Sequence, residues 1–240
     1  MNNFISLLVG DESWTANLQR YLWEGHGLIA GIRAREKFHA VFEGLSLADD
    51  TQTEKWIAEI AAWGGMRPLD AVDRKFAKET LVYLRRLAPA VVQQSDGVWT
   101  PERDAPGEIW SNRIAMMSKL YEMADPTRWI IYDSRVARAI QRLLVEHGRQ
   151  DLAERFRMPA GQGNGANEPP AGMGYLANTP NQKRDGFRNA SWLARQVASG
   201  LNERGLALPE TALLGGVRQD WKKWQAFHVE MALFMSGSNN

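Results

Sequence analysis

Apolar residues recur three and four positions apart along most of this chain, and period-two alternation is almost absent. Asp11 and Ser13 are candidate caps for a helix through Trp14, Leu18, Tyr21 and Leu22, stopped by Gly25 and Gly27. Residues 29–42 are helix-compatible. Thr51 and Glu54 have capping-box spacing, and Trp56, Ile57, Ile60 and Trp63 follow at helical intervals before Gly64-Gly65. Asp70 or Asp73 starts the next helix, with Phe76, Leu81, Leu84 and Leu87 inward. Residues 93–107 are rich in turn formers and read as a loop. A helix is expected over 108–124 and another from Asp133 or Ser134 to His147-Gly148. The stretch from Met158 to Asn181 reads as a long loop, and helices resume over about 183–203 and 216–235. The short run Trp129-Ile130-Ile131-Tyr132 reads as an extended connector. The pattern predicts an all-α fold without an internal repeat, either a single helical domain over 1–240 or two helical lobes, 1–105 and 106–240, flanking a cleft.

Composition narrows the chemistry. The 240 residues are enough to bury a core without staples. The absence of cysteine excludes disulfides, thiolate zinc sites, iron–sulfur clusters and a cysteine nucleophile. Four scattered histidines (His26, His39, His147 and His228) give no metal-ligand spacing, so no metal is expected. No apolar run approaches the roughly 20 residues that span a bilayer. The N-terminal stretch lacks a basic region and soon meets Asp11 and Glu12, so a cytoplasmic protein with no membrane partner is the expectation. Net charge is only +1, but Thr127 to Arg157 holds seven arginines against four acids. That excess suits either a phosphate-facing side or a solvated helix face. The ten tryptophans are more than a core of this size needs, and a surplus fits a protein that stacks flat rings.

Segment 108–144 carries the most chemistry. Lys119 falls on an apolar helix among Ala115, Met116, Met117, Leu120 and Met123. Such a lysine either snorkels its ammonium to water or sits at a dry cleft where burial lowers its pKa and frees its amine. Asp133 follows the connector as the N-cap of the next helix. The backbone donors that make it a cap would also hold its carboxylate ionised and fixed. A fixed carboxylate stabilises positive charge developing on a sugar.

The pattern SKLY…P..WIIYDSRVARAI resembles the bacterial 8-oxoguanine glycosylase (OGG-like) branch of the helix–hairpin–helix (HhH-GPD) DNA glycosylase superfamily, over about residues 113–144. The resemblance implies an HhH-GPD glycosylase-like fold, with Lys119 matching the nucleophilic lysine and Asp133 the catalytic aspartate. It implies a monomer that needs no cofactor, binds double-stranded DNA and flips a modified base into a pocket. The terminal helix Trp221–Met235 sits where such enzymes line that pocket, which makes Phe227 and His228 candidates. Trp129, Tyr132, Phe187 and Trp192 are candidates for its stacking wall. Arg113, Arg135, Arg138, Lys183 and Arg184 are candidates for the DNA backbone. The chain departs from the family in one respect: Trp110-Ser111-Asn112-Arg113 stands where a Gly-hydrophobic-Gly turn usually precedes the lysine.

Each candidate has a plainer reading. The aromatic residues serve equally as core, and the arginines as an exposed basic face. Three functions stay open: a DNA glycosylase, with or without lyase activity, in repair or in defence against modified phage DNA; a non-catalytic DNA-binding module on the same scaffold; and an all-α protein-interaction domain. The first requires Lys119 and Asp133 to share one cleft.

Overall fold

The computed structural model describes residues 3–11, 13–66, 68–86, 114–159, 177, 179–214 and 218–238. In chain order the elements are α1 (Asn3–Val9), α2 (Ser13–Gln19), β1 (Leu22–Trp23), β2 (His26–Gly27), α3 (Leu28–Gly44), α4 (Asp50–Trp63) and α5 (Ala71–Arg86). Then come α6 (Ile114–Ala124), α7 (Ser134–Glu146), α8 (Gln150–Ala153), α9 (Pro180–Glu203), α10 (Glu210–Leu213) and α11 (Ala226–Ser238). The fold is mostly helical. None of the helices among the described residues is long and apolar enough to cross a membrane.

Two helices make the centre, because their sequences offer almost no polar face. In α11 every residue from Ala226 to Phe234 is buried, and the helix packs against α7, α2 and α9. In α6 every residue but Ala115 is buried, and the helix packs against α3, α5, α4 and α9. The Trp129–Tyr132 connector between α6 and α7 is irregular and wholly buried. It is anchored by the Tyr132 amide donating to Ser118 Oγ (3.0 Å) and the Tyr132 hydroxyl donating to the Arg157 carbonyl (2.8 Å). Hydrogen bonding of this kind lets non-helical backbone run through a core. Where α11 crosses the start of α7, a Cβ on Gly237 would overlap the Arg135 backbone.

Several boundaries differ from the expectation for local reasons. The helix at Trp14 ends at Gln19, and Tyr21 and Leu22 leave it for a tight antiparallel hairpin pairing Leu22 with Gly27 and Trp23 with His26. Glu24 and Gly25, both at positive φ, make that turn. The cap of α4 is Asp49, whose carboxylate accepts from the Gln52 amide (3.0 Å), two residues before the expected Thr51. At α9, Thr179 and Gln182 form a full capping box, so the helix starts three residues earlier than expected. The expected 216–235 helix is a 3₁₀ turn at Gln219–Lys222 followed by α11. The endings at Gly64-Gly65 and His147-Gly148 are as expected, with Gly65 and Gly148 left-handed. The 93–107 loop, residues 108–113 and most of the Met158–Asn181 loop lie outside the described residues.

Candidate active site

Lys119 points inward. It is only 4% exposed, and its Nζ donates to the Ala115 carbonyl one turn back (2.9 Å). The ammonium stands 5.2 Å from the ring centroid of Trp23, on the hairpin. Its aliphatic stem lies against Gly64, at the end of α4, where a Cβ would come within 2.6 Å of both Cδ and Cε. Three segments far apart in sequence therefore enclose one amine. Burial holds its pKa below the usual lysine value; Asp133, Glu230 and Glu122 pull the other way. Of the two readings open for this residue, its burial selects the dry one.

Asp133 caps α7. Its Oδ1 accepts from the amides of Arg135 (2.9 Å) and Val136 (3.0 Å). Of the charges that act on Lys119, Asp133 contributes the strongest attraction. The first amides of α7 are therefore already committed to Asp133.

A second charged cluster lies behind the lysine. Arg35 of α3, Glu122 of α6 and Glu230 of α11 have side chains that are 0% exposed. Arg35 Nε is 3.2 Å from Glu122 Oε1, and Arg35 Nη2 is 2.8 Å from Glu230 Oε2. Burial raises the pKa of both carboxyls, against the pull of Arg35, and Glu122 raises that of Glu230 further. Burial opposes the charge on Arg35, but Glu122, Tyr21 and Glu230 outweigh it and hold the guanidinium protonated. Two carboxyls facing one cation in a dry interior favour a single shared proton.

No family model, curated protein or solved structure matches the chain.

The remaining candidates fall into distinct places. Trp129 and Phe187 stack (centroids 5.4 Å apart) with Tyr121 edge-on to both, all three in the interior. Tyr132 and Phe227 are also fully buried. His228 is buried and accepts the Gln225 amide at Nδ1 (3.1 Å); burial, with Arg35 in support, depresses its pKa to about 3. For these five the plainer core reading accounts for every contact described. Trp192 is half-buried against the core. Arg135 is exposed, with its guanidinium 4.6 Å from the Phe234 ring and 5.6 Å from Trp23. Arg138 is half-buried. Lys183 and Arg184 lie in the first turns of α9, with Arg184 3.5 Å from Asp185. Arg113 lies outside the described residues. Among the described residues no group of three or more histidines and acids has metal-site geometry.

Trp23, whose ring stands beside the lysine, is not among the residues the sequence pattern offers for the site. Trp23 and Trp63 stack with centroids 5.9 Å apart and planes within 6°. The cluster of Arg35, Glu122 and Glu230 was passed over too. Its signal in the sequence is a charged residue inside an apolar helical run, Glu122 between Tyr121 and Met123 and Glu230 between Val229 and Met231.

Proposed function

We propose that this protein is a DNA glycosylase in which Lys119 is the nucleophile and Asp133 the catalytic carboxylate, acting on double-stranded DNA that carries an oxidised or otherwise modified base. The reading rests on Lys119, buried with its Nζ beside Trp23, and on Asp133, fixed at the cap of α7 and the strongest attractive charge acting on the lysine. Burial lowers the Lys119 pKa and so favours the neutral amine, and only the neutral amine has a lone pair for attack. The lysine's weak spot as a nucleophile is access, since Trp23 and the Gly64 turn cover it. The target nucleotide must therefore displace an aromatic side chain of the hairpin when it leaves the stack.

In the reaction, the bond between the base and C1′ breaks and the electron pair leaves with the base. Asp133 stabilises the positive charge that develops on the sugar. The Lys119 amine forms a bond to C1′, loses a proton, and the ring opens to an imine. Loss of a C2′ proton then expels the 3′ phosphate, which is the lyase step. The test is release of free base from duplexes carrying 8-oxoguanine, uracil or bulky modified cytosines, read by mass spectrometry. The reading expects release from one of them, abolished by Lys119→Ala. No release from any duplex, together with undiminished DNA affinity, would favour the non-catalytic DNA-binding module instead.

A further inference from the structure

A cavity of about 700 Å³ opens where the first turn of α3 meets the end of α2 and Trp63. Lys119 is not on its wall. The wall carries half-buried Trp63, an edge of buried Tyr21, the imidazole of His26 and the cations Arg33 and Lys37, and no carboxylate among the described residues. Arg33 and Lys37 are one turn apart on α3, and both are exposed. Arg33 has no ion-pair partner among the described residues. Lys37 stands 3.4 Å from Glu59, with both side chains largely in water, a pairing that a stronger anion displaces at little cost.

The backbone adds to this. Gly27 to Ala30 line the same cavity, and they are the N-cap and first turn of the 17-residue α3. Gly27 has no side chain to accept from that turn. Its amides are donors in want of an acceptor, beside two cations and at the positive end of the helix dipole. The volume lies within the roughly 300–1,000 Å³ typical of small-molecule sites, far more than an inorganic ion needs. Cations, helix amides and the half-buried Trp63 ring around one cavity describe a ligand that is both anionic and flat.

We propose that this cavity binds a nucleotide, with its base against Trp63 and its phosphate on Arg33, Lys37 and the first turn of α3. The ligand is either a free mononucleotide or one nucleotide of a DNA strand. Trp63 joins the cavity to the lysine, since it stacks on Trp23, whose ring lies 5.2 Å from Lys119 Nζ. The site stands on its own wall and does not depend on chemistry at Lys119.

Calorimetric titration of the full chain with dAMP, deoxyadenosine, inorganic phosphate and a single-stranded deoxyoligonucleotide tests it. Saturable binding of dAMP, tighter than that of deoxyadenosine or phosphate, identifies a free-nucleotide site. Binding of the oligonucleotide alone identifies a strand site. In either case R33A/K37A weakens binding by about tenfold or more, the cost of losing charge-assisted contacts. K75A/K222A, which removes two lysines off the wall, leaves the affinity unchanged. Absence of saturable binding by both dAMP and the oligonucleotide overturns the proposal, as does an equal loss in R33A/K37A and K75A/K222A. Nucleotide binding without base release removes the glycosylase reading alone. Base release without binding that depends on Arg33 and Lys37 removes this site alone.

Discussion

Gly64 is the floor on which the Lys119 side chain lies. A Cβ at position 64 would come within 2.6 Å of both Cδ and Cε of the lysine, and the Gly64 backbone, at φ −78°, is one that alanine adopts freely. Gly64→Ala therefore acts on the lysine through volume alone. The lysine stem is flexible enough to move aside, so the stability cost is about 1 kcal/mol by the usual scale of overpacking. Displacement of the amine from Trp23 and Ala115 lowers base release strongly. Thermal unfolding and base release measured on the same preparation check this. A variant with full activity would show that the position of the Lys119 amine does not matter.

Asp133 has two roles that substitution separates. Asparagine caps a helix about as well as aspartate, whereas alanine costs about 1 kcal/mol. Asp133→Asn should keep the melting temperature and lose activity; Asp133→Ala should lose both. Asp133 also raises the Lys119 pKa against the effect of burial. Removing its charge lowers that pKa further, so the rising limb of the pH profile moves to lower pH in Asp133→Asn. A limb that stays in place would mean the two groups do not interact.

Arg35 pairs with two buried carboxyls at once. Arg35→Met leaves Glu122 and Glu230 without a cation in a dry interior, and the expected loss is about 3–5 kcal/mol of stability. Adding Glu122→Gln and Glu230→Gln to Arg35→Met recovers much of that loss, because the buried charge is gone. Chemical denaturation of the single and triple variants measures it. A single variant as stable as the parent would contradict the assigned ion pairs.

His228 gives the fold an acid sensitivity of known sign. Its pKa is about 3 in the folded chain against an ordinary 6.5. Between those values the unfolded chain binds a proton that the folded chain refuses, so this group lowers stability as pH falls from about 6.5 to about 3. The slope is about 1.4 kcal/mol per pH unit where the proton difference is full. His228→Asn keeps an acceptor for the Gln225 amide and removes the titration. Its stability curve should be flatter than the parent's across that window, as equilibrium unfolding at several pH values would show.

Much of the fold was legible because helical periodicity and capping are local. The glycines after Trp63 and His147, the Asp133 cap and the buried connector all follow from short stretches of sequence. The hairpin at Leu22–Gly27 was missed because two-residue strands leave no alternation to detect. At the site, Lys119 and Asp133 could be named from one segment. Trp23 and Gly64 could not, since they reach the lysine only through tertiary packing of the hairpin and α4. The sequence offers Trp129, Tyr132, Phe187 and Trp192 as a stacking wall, because residue type alone does not separate a pocket ring from a core ring. Trp129, Tyr132 and Phe187 are buried in the core, and Trp23 is the ring described beside the amine.

The most direct measurement is borohydride trapping on duplexes bearing each modified base, with wild type, Lys119→Ala and Asp133→Asn in parallel. The account predicts a covalent protein–DNA adduct with wild type on one modified duplex, none with Lys119→Ala, and a reduced yield with Asp133→Asn. An adduct that persists at full yield in Lys119→Ala would contradict the assignment of the nucleophile.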